Sequence, residues 1–545
     1  MTSNKLREAF LRFFEKNGHK IVPSFSLLPT DPSVLFTTAG MQQFKKYFLG
    51  KKSLYGLNAA SCQKCFRTSD IDEVGDERHL TFFEMLGNFS FGGYEKEKAI
   101  KLAKDFLDSI NIKIDYVTVF EGDENVPCDE ESVAIWQKLG IGQDKIKKCA
   151  KEDNFWGPTG EEGPCGPTTE IYAQGIEIWN IVFNQYYCHQ NKTLTKLESF
   201  GVDTGMGLER LAMISQGKSS VFEADLFLPI IDSIPCQDEK AKRIIADHIK
   251  SAVFLIADGI LPSNVEQGYI LRRILRRAIR YGKSLDLTSL AQKVIAIYEG
   301  VYPELKLKET DILAVIEKEK EKFSKTLEEG LKQFEKGVDA FELYATYGFP
   351  VELTMELAKE KGIEINLEDF KKKFKTHQEV SRAGAQKKFK GGMSDHSEQT
   401  IKYHTAAHLM LAALREVLGE TISQKGSNIT AERLRFDFNY SQKMTDVQIK
   451  KVQDLVNQKI KEDLSVVCEE MALDEAKKKG AVGVFENKYA EKVKVYTIDN
   501  FSKEICGGPH VKKTGELGFF KIIKEESSSA GVRRIRGVLE STEVV

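Results

Sequence analysis

Two histidines four residues apart, His404-Thr-Ala-Ala-His408, and a second pair, Cys506-Gly-Gly-Pro-His510, supply four side chains of the types that bind a metal ion. The first pair lies in a stretch, Tyr403 to Gly419, that reads as a helix. Residues at i and i+4 share a helix face, so both imidazoles can reach one ion. The Gly-Gly-Pro of the second pair demands a turn that no helix accommodates. Together they form a Cys/His set of the kind zinc takes in a tetrahedron. The blander alternative is two surface histidines and an unrelated turn cysteine. A metalloprotease is excluded, because His404-x-x-x-His408 lacks the adjacent glutamate of His-Glu-x-x-His.

A different chemistry is offered nearer the N-terminus. Residues 62 to 91 read as a hairpin: Cys62-Gln-Lys-Cys65-Phe-Arg67, a polar loop from Thr68 to Glu77, then a strand ending at Phe91. Arg67 leaves the first strand and Arg78 enters the second, so two guanidiniums flank the mouth, where their forks match phosphate oxygens. Alone, such a pair also serves to neutralise Asp70, Asp72 and Glu73. Cys62 and Cys65 have no second pair nearby and read as buried strand cysteines rather than metal ligands. Further on, Phe200-Gly-Val-Asp203-Thr-Gly205-Met-Gly207-Leu-Glu-Arg210 describes a strand turning sharply into a helix. There the glycines allow close backbone approach and the helix start presents free N–H groups to an anion. No Walker-type Gly-x-x-x-x-Gly-Lys-Ser/Thr loop is present.

Positioning these groups takes more than one core. A chain of 545 residues suggests two to four domains. Residues 1–236 alternate strand-like runs with Gly- and Pro-rich turns, the texture of an α/β (α+β) core. Residues 237–390 turn strongly helical, with Ile244, Ile245, Ile249, Val253 and Ile256 at helical spacing, and Glu317 to Lys325 reads as a solvated helix face. Arg382 to Gly392 has a linker's composition. Residues 391–545 carry the metal pairs among strand-like runs at Lys492–Ile498 and Gly518–Ile523, a compact α+β unit. The whole is 41% hydrophobic and 29% charged, with net charge −2, which excludes a globally basic nucleic-acid binder and leaves room for local basic patches. Nine scattered cysteines without a secretory segment suit a reducing cytoplasm. Leu6, Phe10, Phe13 and Phe14 trace a helix face with Glu8 and Glu15 among them, unlike a targeting peptide. No apolar run approaches the ~20 residues that span a bilayer, so no membrane partner is expected.

The hairpin and the glycine turn together resemble motifs 2 and 3 of class II aminoacyl-tRNA synthetases. Whole phrases are similar to the alanyl-tRNA synthetases: Leu35-Phe-Thr-Thr-Ala-Gly-Met-Gln-Gln-Phe44, Thr81-Phe-Phe-Glu-Met-Leu-Gly-Asn-Phe-Ser-Phe91, Gly163-Pro-Cys-Gly-Pro167, Ile178-Trp-Asn-Ile-Val-Phe183 and Val202-Asp-Thr-Gly-Met-Gly-Leu-Glu-Arg210. The resemblance continues in order to the end of the chain. It implies an antiparallel catalytic core in 1–236, a helical domain reading the tRNA acceptor stem with its linker in 237–390, and a zinc-containing editing domain in 391–545. Arg67, Arg78 and Arg210 would contact ATP, which comes with Mg²⁺. L-alanine would sit among Trp156, Val182, Asp203 and Gly205, its ammonium on Asp203. Physical sense agrees, since an ammonium leaving water needs an anion and a methyl group an apolar wall. The activity implied is ATP-dependent charging of tRNA(Ala) through alanyl-adenylate.

On the tRNA side, Arg272, Arg273, Arg276, Arg277 and Arg280 lie on one helix with no acid between them, which points to a phosphate-facing surface. The family's acceptor-stem asparagine matches Asn264. Two departures follow: Ala345 stands where the family has an aspartate, and Glu266-Gln267-Gly268 replaces Gly-Arg-Gly. Losing a base-edge acceptor forfeits about 1–3 kcal/mol of discrimination. An alanine pocket cannot reject serine or glycine by more than about 1–3 kcal/mol, so a hydrolytic second sieve is implied. The resemblance assigns zinc to His404, His408, Cys506 and His510, and places Gln424 with Cys506 in the editing pocket; Ala407 replaces a frequent threonine between ligands. The chain ends soon after Ala530-Gly-Val-Arg-Arg-Ile535 and leads us to expect a monomer. The competing readings are a stand-alone hydrolase of mischarged tRNA and a tRNA-binding paralogue, each with a relict synthetase core.

Overall fold

The computed structural model describes residues 1–31, 33–158, 160–283, 285–386, 397–483, 492–529 and 531–540, in two compact units, Met1–Gly362 and Ile363–Val545. In the first unit, nine strands make one sheet: β1 (Lys20–Ile21), β2 (Asn58–Phe66), β3 (Phe82–Phe91), β4 (Tyr116–Phe120), β5 (Ile146–Cys149), β6 (Phe155–Trp156), β7 (Gly163–Ala173), β8 (Ile176–Cys188) and β9 (Leu194–Gly207). Their order is β1-β2-β3-β9-β8-β7-β4-β5, with β6 paired to β7. From β2 across to β4 every pairing is antiparallel. The expected hairpin is β2–β3, with Cys62 opposite Leu86 and Phe66 opposite Phe82. Both Cys62 and Cys65 are buried.

Helices cover the sheet because their apolar stripes match its faces. The first, α1 (Ser3–Lys16), starts at Thr2, whose side chain accepts from the Lys5 amide, and buries Leu6, Phe10 and Phe14. Phe10 meets Phe106 edge-on at 5.3 Å, and Phe106 meets Trp179 of β8 edge-on at 5.8 Å. At its far end β9 passes without a break into α2 (Leu208–Ser215), the sharp strand-to-helix turn.

The further helices of this unit include α3 (Glu239–Ala257), α4 (Glu266–Tyr281), α5 (Leu287–Tyr298) and α6 (Glu309–Glu335). Phe254 of α3 stacks on Phe82 of β3 with centroids 4.0 Å apart. Two buried ion pairs seal the same junction. Lys250 of α3 donates to Glu209 of α2 at 2.7 Å, and Arg7 pairs with Glu84 of β3 at 2.6 Å. Buried pairs hold only when their remaining lone pairs are filled. Tyr302 and Cys62 also donate to Glu84, and the Glu84 amide donates to Glu209. In the stretch 317–325, read as a solvated face, Glu319 is instead buried and accepts from Arg276 at 2.7 Å.

In the second unit, a helix spans Leu367–Gln386, covering the start of the stretch read as a linker; residues 387–392 of that stretch and the 390/391 division lie outside the described residues. Helix α7 (Glu398–Leu418) begins at the Ser397 cap and α8 (Asp446–Lys461) at a Thr445/Gln448 capping box. Both pack on a sheet of β10 (Gln424–Ile429), β11 (Leu434–Asn439), β17 (Val532–Glu540) and β16 (Phe519–Ser529), in that order. Phe436, Phe438, Phe520 and Ile535 face these helices in the core. A second four-stranded sheet orders β12 (Val466–Ala472), β14 (Lys492–Ile498), β15 (Ser502–Ile505) and β13 (Val482–Gly483).

Candidate active site and metal centre

Register brings the N-terminal residues together. On adjacent strands Val182 stands opposite Asp203, which stands opposite Phe89, and Asn180 stands opposite Gly205. Alternation then puts Phe83 and Met85 on one face of β3. Above them opens a cavity of about 720 Å³ lined by Arg67, Arg78, Trp156, Val182, Asp203, Gly205 and Arg210, seven residues singled out in the sequence. Trp156 and Met85 belong to one apolar cluster. A Cβ at Gly205 would lie 2.8 Å from the Met85 Sδ, so glycine keeps the floor of this end open.

Asp203 is 5% exposed, and burial alone pushes its carboxyl up to about 7. Burial disfavours the carboxylate form here, and a cation placed beside it would restore that form. The arginines are aimed by their neighbours. Arg67 lies over the Phe83 ring at 5.0 Å and its Nε donates to the Thr38 carbonyl. Arg210 donates through Nη1 to the Glu177 carboxylate at 2.8 Å and to the Glu177 carbonyl at 3.1 Å. Arg78 is exposed, its backbone held by Asp76. Among the lining groups given no site role from the sequence are Met85, Glu170 and Glu177. Burial, together with Glu177, raises Glu170 to about 7. Met85 was legible by alternation from Phe83; the two glutamates meet only because β7 and β8 pair with Tyr172 opposite Glu177.

The α4 arginines each have a partner inside the unit. Arg272 donates to the Asn264 side-chain oxygen. Arg273 grips both oxygens of Asp72 at 2.7 and 2.9 Å, Arg276 holds Glu319, and Arg280 holds Glu360. Arg277, buried, donates to Glu356 and to the Ile71 and Val74 carbonyls in the loop between Arg67 and Arg78. Asn264 and Ala345 are exposed. Glu266 takes a left-handed φ of +52°, the conformation for which glycine is suited. Gly268 is required, since a Cβ there would lie 2.5 Å from the Leu261 carbonyl.

In the second unit His404, His408, Cys506 and His510 converge, each offering a ligand atom within 4.8 Å of the others. The Cys506 Sγ is 3.4 Å from the His404 Nε2. His404 Nδ1 contacts the Pro509 carbonyl and His510 Nδ1 the Thr405 hydroxyl, at 3.1 Å each, which turns both Nε2 atoms inward. The His510 Nε2 is buried and has no hydrogen-bond partner among the described residues. Burial and the neighbouring imidazoles push His408 and His510 well down, so both are neutral, the form that ligates. This donor set fits a tetrahedral ion. Gln424 opens β10 opposite Phe438, on the sheet that α7 packs against.

Comparison with known proteins agrees with this geometry. Residues 5–431 match the model for "tRNA synthetases class II (A)", and 493–536 match that for the "Threonyl and Alanyl tRNA synthetase second additional domain". Alanine--tRNA ligase from Borrelia hermsii is 49% identical, taking in 99% of this chain and 100% of that protein. The chain belongs to the alanine–tRNA ligase family, within the class II tRNA synthetases. The Treponema denticola ligase is likewise 49% identical, over 99% of each chain, and the Thermotoga maritima ligase 39% over 99% of this chain and 80% of that protein. Within this alanine–tRNA ligase family member, the class II match spans the cavity, α3 to α6 and both α7 histidines. The second-additional-domain match carries Cys506 and His510.

Proposed function

We propose that this chain activates L-alanine with ATP, transfers it to tRNA(Ala), and hydrolyses tRNA mischarged with serine or glycine. The observation that carries the reading is a single cavity with guanidiniums and a buried, ligand-ready carboxylate beside a glycine floor. Asp203 takes the alanine ammonium, while Val182 and Trp156 wall the methyl group. The alanine carboxylate then attacks the α-phosphate in line and pyrophosphate leaves. Arg67, Arg78 and Arg210 meet the charge on the phosphates, two of them already oriented by Phe83 and Glu177. Mg²⁺, where bound with ATP, supplies further charge neutralisation. The tRNA terminal hydroxyl next attacks the alanyl carbonyl of the adenylate, the acyl–phosphate bond breaks and AMP leaves with the hydroxyl proton; positioning suffices for this step without an assigned base.

By function the chain divides into 1–236 for activation, 237–390 for the acceptor stem and 391–545 for editing. Asn264, Arg272 and Arg273 are the α4-side groups we assign to tRNA, with Arg276 and Arg277 acting behind them. His404, His408, Cys506 and His510 would hold zinc, and an ion held by them would brace the editing pocket containing Gln424 and Cys506. Because one chain supplies the whole cavity, a monomer is the working unit, checked by gel-filtration mass, and the cytoplasm is its place. Among the described residues no helix is long and apolar enough to cross a membrane. Alanine-dependent ATP–pyrophosphate exchange tests the ligase reading. No exchange with intact Ser-tRNA hydrolysis would establish a stand-alone editing hydrolase instead.

A further inference from the structure

The β10-β11-β17-β16 sheet turns one face to α7 and α8, and its opposite face carries an unusual row. Register places Asn428 opposite Arg435, Arg435 opposite Arg536, and Arg536 opposite Lys524, one residue from each of four adjacent strands. All four side chains can donate; in the row only Asn428 offers an acceptor oxygen. Like charges directly opposite across a strand pair are destabilising unless something bridges them. The neighbouring row supplies two carboxylates, and both are shared. Asp437 accepts a bidentate pair of bonds from Arg534 and lies 3.9 Å from Arg435. Glu526 meets Lys524 at 2.7 Å and Arg536 at 2.8 Å. Four cations therefore face two anions.

Donors are left over. Asn428 is 3% exposed, and among the described residues its Nδ2 has no hydrogen-bond partner; the same holds for the Nε atoms of Arg435 and Arg536. Burial and the cationic neighbours Arg534, Arg433 and Arg536 depress the Arg435 pKa against the pull of Asp437. The outer end of the row is open, with Arg536 and Lys524 42% and 57% exposed in their side chains. Three strand spacings make the row about 14 Å long, more than one phosphate needs.

We propose that Asn428, Arg435, Arg536 and Lys524 form a phosphate-binding row that holds the RNA backbone against the second unit. It rests on the reading that the chain engages tRNA, and adds a contact distant from the α4 helix in sequence. Arginine forks suit phosphate oxygens, and a row without base-edge readers grips backbone regardless of sequence.

The test uses the full chain and a tRNA(Ala) transcript, with affinity measured by anisotropy from about 50 to 200 mM salt. Arg435→Gln/Arg536→Gln is expected to weaken binding and flatten the log K against log salt slope by roughly one for each lost contact. Should that double variant fail to fold, Lys524→Gln/Arg536→Gln, altering the exposed end, is expected to flatten the slope in the same direction. A slope equal to the parent's in a folded variant overturns the proposal. Inorganic phosphate that binds the parent row while the tRNA slope stays unchanged assigns the row to a free anion and also overturns it. Alanine-dependent exchange is read on the same preparations. Exchange absent from the parent sinks the ligase reading; exchange present with an unchanged slope sinks the phosphate row alone.

Discussion

Burying a carboxylate without a counter-ion costs folding energy, and Asp203 bears that cost, which the ammonium proposed for it would offset. With a folded pKa near 7 against an ordinary 3.8, the native state holds this proton more tightly than the unfolded chain. Its contribution to stability therefore falls as pH rises from about 4 to 7 and levels beyond. Asp203→Asn removes the charge, so urea unfolding at pH 8 is expected to show a gain on the order of 2–4 kcal/mol over the parent, shrinking by about half at pH 5.5. Exchange activity should be lost in the same variant, and the parent's KM for alanine should climb below pH 7 as Asp203 protonates. A second residue-scale outcome concerns Glu266. Its left-handed backbone costs roughly 1 kcal/mol in a side-chain-bearing residue, so Glu266→Gly should raise the urea midpoint. The substitution of glycine by glutamate was legible in the sequence; that the backbone kept the glycine conformation was not.

At the scale of elements, helix α4 does a second job beside the one its composition suggests. Its period and five arginines were plain, and so was an apolar stripe. The acids that take those arginines were not, because they lie 43 to 201 positions away, on α6 and in the hairpin loop among other places. Local charge patterning cannot register partners supplied by tertiary folding. The consequence is mechanical: Arg277 and Arg273 pin the Ile71–Val74 loop that joins Arg67 to Arg78. Arg277→Met should raise the KM for ATP several-fold with little change in that for alanine, and destabilise the unit by about 1–3 kcal/mol as the buried Ile71 and Val74 carbonyls lose their donor, Glu356 keeping Arg280 and Tyr281. Arg277→Lys should not rescue it, since one ammonium cannot reach a carboxylate and two carbonyls as a planar fork does. An unchanged KM for ATP would remove α4 from the positioning of the loop.

At the scale of the molecule, the two candidate sites sit in separate units. Every singled-out residue of the 720 Å³ cavity lies in Met1–Gly362, and all four metal-type ligands lie in Ile363–Val545. Ligand spacing and the motif phrases let the residues that line the cavity and the four converging His/Cys side chains be picked out from sequence, because each group is built on short local patterns, a helix turn and a strand end. The phosphate row stayed hidden, since Asn428, Arg435, Lys524 and Arg536 meet only through strand register. Separate units predict separable losses. A bound tetrahedral ion contributes to folding stability outright, so stripping it with a chelator should loosen the second unit alone. Zinc content should fall from one per chain, and Ser-tRNA hydrolysis with it, while alanine-dependent exchange continues at the parent rate. Cys506→Ala should reproduce this. Serine would then accumulate on tRNA, because the activation pocket discriminates against one added hydroxyl by only about 1–3 kcal/mol. Exchange falling in step with metal loss would show instead that the ion supports the whole chain, and the division of labour between the units would fail.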